Sequence, residues 1–296
     1  MRIVRPRDVD SGVVSATNVI NEYDDWSAGD APYDEGDRVV FGEYAWEALS
    51  NTSEQPDEGA QLDPPEWVRL GHSNEWRMFR DGTDSRSSQV EKIEVTLEFP
   101  QTVNVIAVLG ATGASARVVA TIDSETVYDE TRTLTDIGVD DWWPYFFSDY
   151  EVMSKAIFSD TGGLAGAAIT VTVAATSATS DAECGRLIAG LAADVGVTLE
   201  GVQSRLEQFA RKQRDEFGNL TLTPRRTIRI VDYDFVVEPS LVDQVERRFQ
   251  QISAVPVLFI GHDELPETVV FGVFEEFSTI INGHTITECS ATVEEF

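Results

Sequence analysis

The chain has 296 residues, of which 52 are Asp or Glu and 22 are Lys or Arg, giving a formal net charge of -30 and a sequence pI near 4.2. Hydrophobic residues make up 42%, enough for packed cores, which excludes global disorder, and no internal period points to a repeat architecture. The surplus of carboxylates argues against nucleic acid and anionic membranes as partners, because both are held through Lys and Arg.

Such self-repulsion opposes a compact state in dilute buffer. At molar salt the screening length falls to roughly 3 Å and most of that repulsion disappears. Lysine is confined to Lys92, Lys155 and Lys212, so the surface is rich in carboxylate and nearly stripped of ammonium. That balance points to adaptation to high salt. Cys184 and Cys289 match neither a metal spacing nor a disulfide framework and read as two buried thiols, with a single bridge as the alternative. No apolar stretch follows the charges of Met1–Asp10, so no signal peptide is expected. The uncharged run Thr161–Ser180 is Gly, Ala, Thr and Ser rather than Leu and Ile, too polar for a membrane span. A soluble chain without membrane insertion is expected.

In chain order, Gly12–Ile20 is β-prone. Tyr33–Leu70 alternates short apolar runs with Gly, Pro, Asn and Asp, the pattern of a small three-stranded module rich in aromatic rings. Ile93, Val95, Leu97 and Phe99 alternate with polar residues, as do Ile169, Val171 and Val173, the period of half-buried strands. Between them Val103–Leu109 reads as a buried strand, and several more short strands suggest a β-sandwich. Ser204–Asn219 reads as a polar connector with a turn at Phe217–Asn219. After a strand over Arg225–Val237, Ser240 and Asp243 resemble a capping box, and Leu241, Val245, Phe249 and Ile252 recur at helical spacing. Pro256–Gly261, Val269–Ile281 and Thr285–Glu294 are strand-like. The expected fold is mainly β with a C-terminal α+β unit, divided at 1–74, 75–203 and 204–296.

Motifs for chemistry are sparse. Gly110–Gly113 is a lone GxxG without the Lys-Ser/Thr of a phosphate loop, no GxSxG elbow occurs, and His72, His262 and His284 lack partners at zinc spacing. With 52 acidic residues, a pair of glycosidase carboxylates can be proposed anywhere and carries no information. Catalytic residues are therefore named as none, and the protein is read as not an enzyme, with no cofactor. Asp81 and Asp84 with neighbouring hydroxyls form a weak Ca²⁺ candidate, for which an acidic turn is the simpler reading. Tyr44, Trp46 and Trp67 are candidate stacking platforms for a glycan, set against a role as core of a module too small to spare its rings. Trp142, Trp143, Tyr145 and Phe146 form a second aromatic cluster. With Phe271 and Phe274 they are candidate subunit interfaces.

Tyr33, Gly36 and Val39, the stretch Tyr44–Ala48, Pro56 and Trp67 resemble the small carbohydrate-binding modules of chitinases. Leu49-Ser50-Asn51 stands where those modules carry exposed aromatics, which puts the sugar platform in question. Over nearly the whole chain, the order of segments is similar to a family of virion proteins of tailed viruses, often labelled carbohydrate-binding or tail proteins. The segments are the aromatic module, Leu70–Asp81, Val103–Gly110, Asp141–Phe147, Arg211–Asn219, Pro256–Gly261 and Gly272–Phe277. The resemblance implies a structural component of a tail tip or baseplate, located in the virion, of a virus whose host is an extreme halophile. It implies a homo-oligomer in contact with other tail proteins. The alternative is a receptor-binding lectin for host-surface glycan.

Overall fold

In the computed structural model, the described residues are 1–80, 85–136, 151–152, 154–159, 161–214, 220–262, 265–280 and 286–296. The chain is mainly β, with a short helix near the C-terminus. It divides into two compact units, Asp8–Ile188 and Met1–Arg7 with Ala189–Phe296.

Within Asp8–Ile188, the alternating sequences become a five-stranded antiparallel sheet. Its order is Glu125–Thr133, Ser115–Ile122, Ala168–Ala174, Lys92–Glu98, Val14–Thr17. Register places Ile169, Val171 and Val173 opposite Leu97, Val95 and Ile93, and Ala120, Val118 and Ala116 continue the row. All nine are buried, so one face of the sheet is continuous apolar core. On the other face Thr96 and Thr170 share a hydroxyl hydrogen bond of 2.9 Å. Val105–Leu109 is buried at every residue and pairs with Lys155–Phe158. The β-rich architecture is sandwich-like.

The aromatic module lies in the same unit as three antiparallel strands, Arg38–Phe41, Tyr44–Ala48 and Trp67–His72. The first two are joined by Gly42-Glu43. Gly42 has φ +63°, the left-handed value that the first position of a two-residue hairpin turn requires. A helix, Asn74–Arg80, follows directly. It is too short for periodicity to reveal, and it anchors the module through two side chains. Arg80 donates from Nε and Nη2 to the two carboxylate oxygens of Glu43, each at 2.8 Å, and from Nη1 to Asp8. That fork-on-fork geometry is the strong form of an ion pair, and it holds the guanidinium pKa well above its usual value, chiefly through the Glu43 hydrogen bonds.

Asn74 is 9% exposed and is satisfied on every side. Its amide donates to Ile20 O (2.8 Å) and Ser88 O (2.7 Å), and its Oδ1 accepts from Ser88 N (2.9 Å). One side chain thus fastens the Ile20 segment and the strand Ser87–Val90 to the helix start. Asn74→Ala strands those three backbone groups and is expected to cost roughly 2–4 kcal/mol in chemical denaturation.

The other unit is a sheet with the order Arg186–Asp194, Arg2–Pro6, Val257–Ile260, Val269–Ile280, Thr287–Glu295, Thr227–Val237. Val197–Thr198 and Gln203–Gln208 both pair with the last of these. The helix Val242–Gln251 lays Val245 and Phe249 onto Val231, Tyr233, Phe235 and Val293. Phe249 stacks on Phe277 at 4.2 Å and meets Phe274 edge-on at 5.3 Å. Strand, helix and three strands appear in the expected order.

Several details differ from the sequence reading. The helix begins at Val242, after a single 3-10 turn Pro239–Leu241, and Leu241 at its N-cap makes no side-chain cap. Ser240 and Asp243 are therefore not a capping box, and Leu241, off the helix proper, is 44% exposed. Gln203–Gln208 and Arg211–Arg214 are strands rather than connector, and the turn at Phe217–Asn219 lies outside the described residues. The division expected near 203 falls instead at Ile188 and after Arg7. The cause is Arg2–Pro6, which pairs with both Arg186–Asp194 and Val257–Ile260. At the Pro6 end it crosses Gly190, where a Cβ would stand 2.5 Å from Arg5 O, so only glycine allows the strands to close.

Candidate functional site

The glycan candidates occupy the heart of the small module. Trp67 is 1% exposed, meets Tyr33 edge-on at 5.6 Å, and donates its indole N–H to Glu54 O at 3.0 Å. A Cβ on Gly59 would stand 2.5 Å from Trp67 Cδ1, so the facing backbone is shaped around the ring. Trp46 is 8% exposed and donates to Phe41 O at 3.3 Å. These rings, with Tyr33, Val39 and Ala48, form the module's core, the role a unit of this size needs its largest side chains to fill. Tyr44 sits half-buried at the margin. His72 stacks on its ring at 4.7 Å, and the Arg69 guanidinium lies 4.6 Å from the ring centroid, so the ring is engaged by protein. The exposed side chains of the neighbouring strand Trp67–His72 are Val68, Arg69 and Leu70. Aliphatic groups around an arginine offer apolar contact to a protein surface rather than a flat ring for a sugar face.

Of the other candidates, Asp81 and Asp84 lie outside the described residues, as do Trp142, Trp143, Tyr145 and Phe146. Among the described residues, no group of three or more His, Cys, Asp and Glu is placed to hold a metal ion. No helix among them is long and apolar enough to cross a membrane. Phe271 is 3% exposed, opposite Leu258, and meets Phe296 edge-on at 6.1 Å. Phe274 is only partly buried. It lines an open groove of about 610 Å³ between helix and strand, with Phe249, Phe277 and Thr279 on the floor and Glu246, Gln250 and Ser253 along the helix side.

The buried titratable groups have structural surroundings. Tyr233 donates its hydroxyl to Thr268 O at 2.9 Å, and burial pushes its pKa up. Cys184 and Cys289 are free and buried. Burial pushes the Cys184 thiol up to about 12 from an ordinary 9.0, and the Cys289 thiol is also raised, mainly by burial. A thiol shifted that far has about a thousandfold less thiolate at neutral pH. Ellman's reagent is expected to leave both thiols untouched in the native protein over minutes and to titrate both at once in denaturant. Rapid reaction of native Cys184 would contradict its placement.

A feature absent from the sequence reading lies in place of the expected polar connector, ahead of the strand Thr227–Val237. Gln203–Gln208 and Arg211–Arg214 are exposed at every residue, and the second pairs with Leu220–Thr223 as a hairpin. Leu206 is 73% exposed, Phe209 49% and Leu222 57%. Strands without a buried face show no alternation, so periodicity could not find them. The local reversal of charge was the available signal.

No known protein family, curated protein or solved structure matches the chain.

Proposed function

We propose that the chain is a structural component of a virus tail tip or baseplate, acting by contact rather than catalysis, in a virion built for a high-salt host. The observation that carries this reading is the exposure of large apolar side chains on strands and, at Phe209, on the link between two strands. Leu206, Phe209 and Leu222 stand out on one run of chain, and Val68 and Leu70 (39% and 48% exposed) on a strand of the aromatic module. Exposed apolar groups gathered on strand edges are contact surfaces awaiting another protein. The order of segments, which resembles that of virion tail proteins, motivates the same reading. The engagement of Tyr44, Trp46 and Trp67 within the module favours a scaffold role for it over glycan stacking.

Sedimentation of the purified chain in molar salt tests the proposal. A discrete closed oligomer, or a defined complex with other tail proteins, is the expected result. A chain that stays monomeric and binds no particle protein would overturn it.

A further inference from the structure

Residues 211–226 reverse the sign of the chain. They contain Arg211, Lys212, Arg214, Arg225 and Arg226 against Asp215 and Glu216, which leaves 17 of the 22 basic and 50 of the 52 acidic residues for the remainder. The strand Arg211–Arg214 presents its three cations on backbone exposed at every residue, paired with Leu220–Thr223. No ion pair joins Arg211, Lys212, Arg214 or Arg225 to another described residue. Several arginines elsewhere are matched to nearby carboxylates, as in Arg80 with Glu43, Arg86 with Glu183 and Arg117 with Asp129, but nowhere else do so many cations gather on so short an exposed run.

Charged side chains can simply guard a strand edge against aggregation, but carboxylates would serve equally and are the chain's common currency. Cations with no ion pair to another described residue, close in the chain to exposed Leu206, Phe209 and Leu222, suit a contact surface, whose composition favours arginine and aromatic rings. The partner must be anionic. A nucleic acid would suit these cations alone and be repelled by a body carrying 50 carboxylates. A second copy of the chain supplies that carboxylate surface at the local concentration set by assembly.

We infer that the exposed strands Gln203–Gln208 and Arg211–Arg214 form an arm through which one copy grips the acidic surface of the next. The contact is heterologous, arm to a different surface, so repeated copies close into a ring or extend as a filament. Guanidinium and carboxylate in direct contact lie closer together than the screening length at molar salt, which lets such pairs survive where long-range steering does not. This deepens the structural role proposed above and rests on it.

Zero-length carbodiimide coupling of an equal mixture of unlabelled and ¹⁵N-labelled full-length chains, in molar salt, tests the arm. Lys212, one of three lysines, is expected to join carboxylates in peptides of mixed isotope, the signature of a link between copies. Links confined to one chain, or none from Lys212, would overturn the inference. In parallel, the triple variant Arg211→Glu, Lys212→Glu, Arg214→Glu is expected to weaken self-association at least tenfold. Arg211→Lys with Arg214→Lys should retain most of it, which separates loss of charge from loss of fold. Unchanged association of the reversed variant, or arm-dependent binding to a duplex DNA oligonucleotide in place of self-association, would also overturn the arm. A monomeric chain found at the tail tip would discard the arm and keep the structural role. An arm-dependent oligomer absent from particles would do the reverse.

Discussion

Gly272→Ala is expected to destabilise the protein by roughly 3–5 kcal/mol, or to prevent accumulation of folded chain. Gly272 lies in the strand Val269–Ile280, between Val257 on one side and Glu295 on the other. A Cβ there would stand 1.9 Å from Glu294 O and 2.8 Å from Glu294 C. The obstacle is backbone of the neighbouring strand, which no rotamer change moves aside. Relief requires the two strands to part by more than an ångström, and with them the row that carries Val293, Phe274 and Phe277 against the helix. Gly36→Ala is the control. Gly36 has φ +92° with nothing within 4 Å of a Cβ, so that substitution pays only for the left-handed backbone, about 1 kcal/mol. Denaturation with guanidinium reads both. A Gly272→Ala protein within 1 kcal/mol of wild type would mean that these strands do not pair as described.

Dialysis from molar salt to about 0.1 M is expected to unfold or aggregate the chain, because the screening length grows from roughly 3 Å to roughly 10 Å. Carboxylates that ignore one another at molar salt then repel across the surface, 52 of them against 22 basic residues, for a net charge of -30. Contact pairs such as Arg80 with Glu43 are affected least. Separated like charges are affected most, and Glu75 is already an example: burial first, and then the charge of Asp25, raise its pKa. The same reasoning gives the direction for acid. A carboxyl whose folded pKa is raised contributes stability as it protonates, so modest acidification at low salt should partly rescue the fold. A melting temperature unchanged across the salt range would contradict adaptation to high salt.

The elements legible in the sequence were those with one buried face. Ile93, Val95 and Leu97 alternate because a core lies on one side of their sheet, and Val245, Phe249 and Ile252 recur because a helix faces Phe235 and Phe277. The rest was illegible for physical reasons. Arg2–Pro6 is five residues long, and its partners lie some 190 and 260 positions away in the chain. Asn74–Arg80 is two turns. Gln203–Gln208 is exposed throughout and has no apolar face to announce it.

The candidate site was less legible than the fold. Tryptophan serves a core and a stacking platform equally well, and the sequence does not say whether the ring's faces are open. Trp67 illustrates the point. Only the geometry of Glu54 and Gly59 around it shows an indole enclosed and hydrogen-bonded. The exposed arm was visible as five basic residues among carboxylates, a signal in charge rather than in hydrophobic period.

Immunogold labelling of purified virus particles with an antibody against the folded chain is the most direct measurement. Gold confined to one end of the tail is the result the structural role predicts. Particles that carry no label, while free chain is abundant in the infected cell, would contradict it.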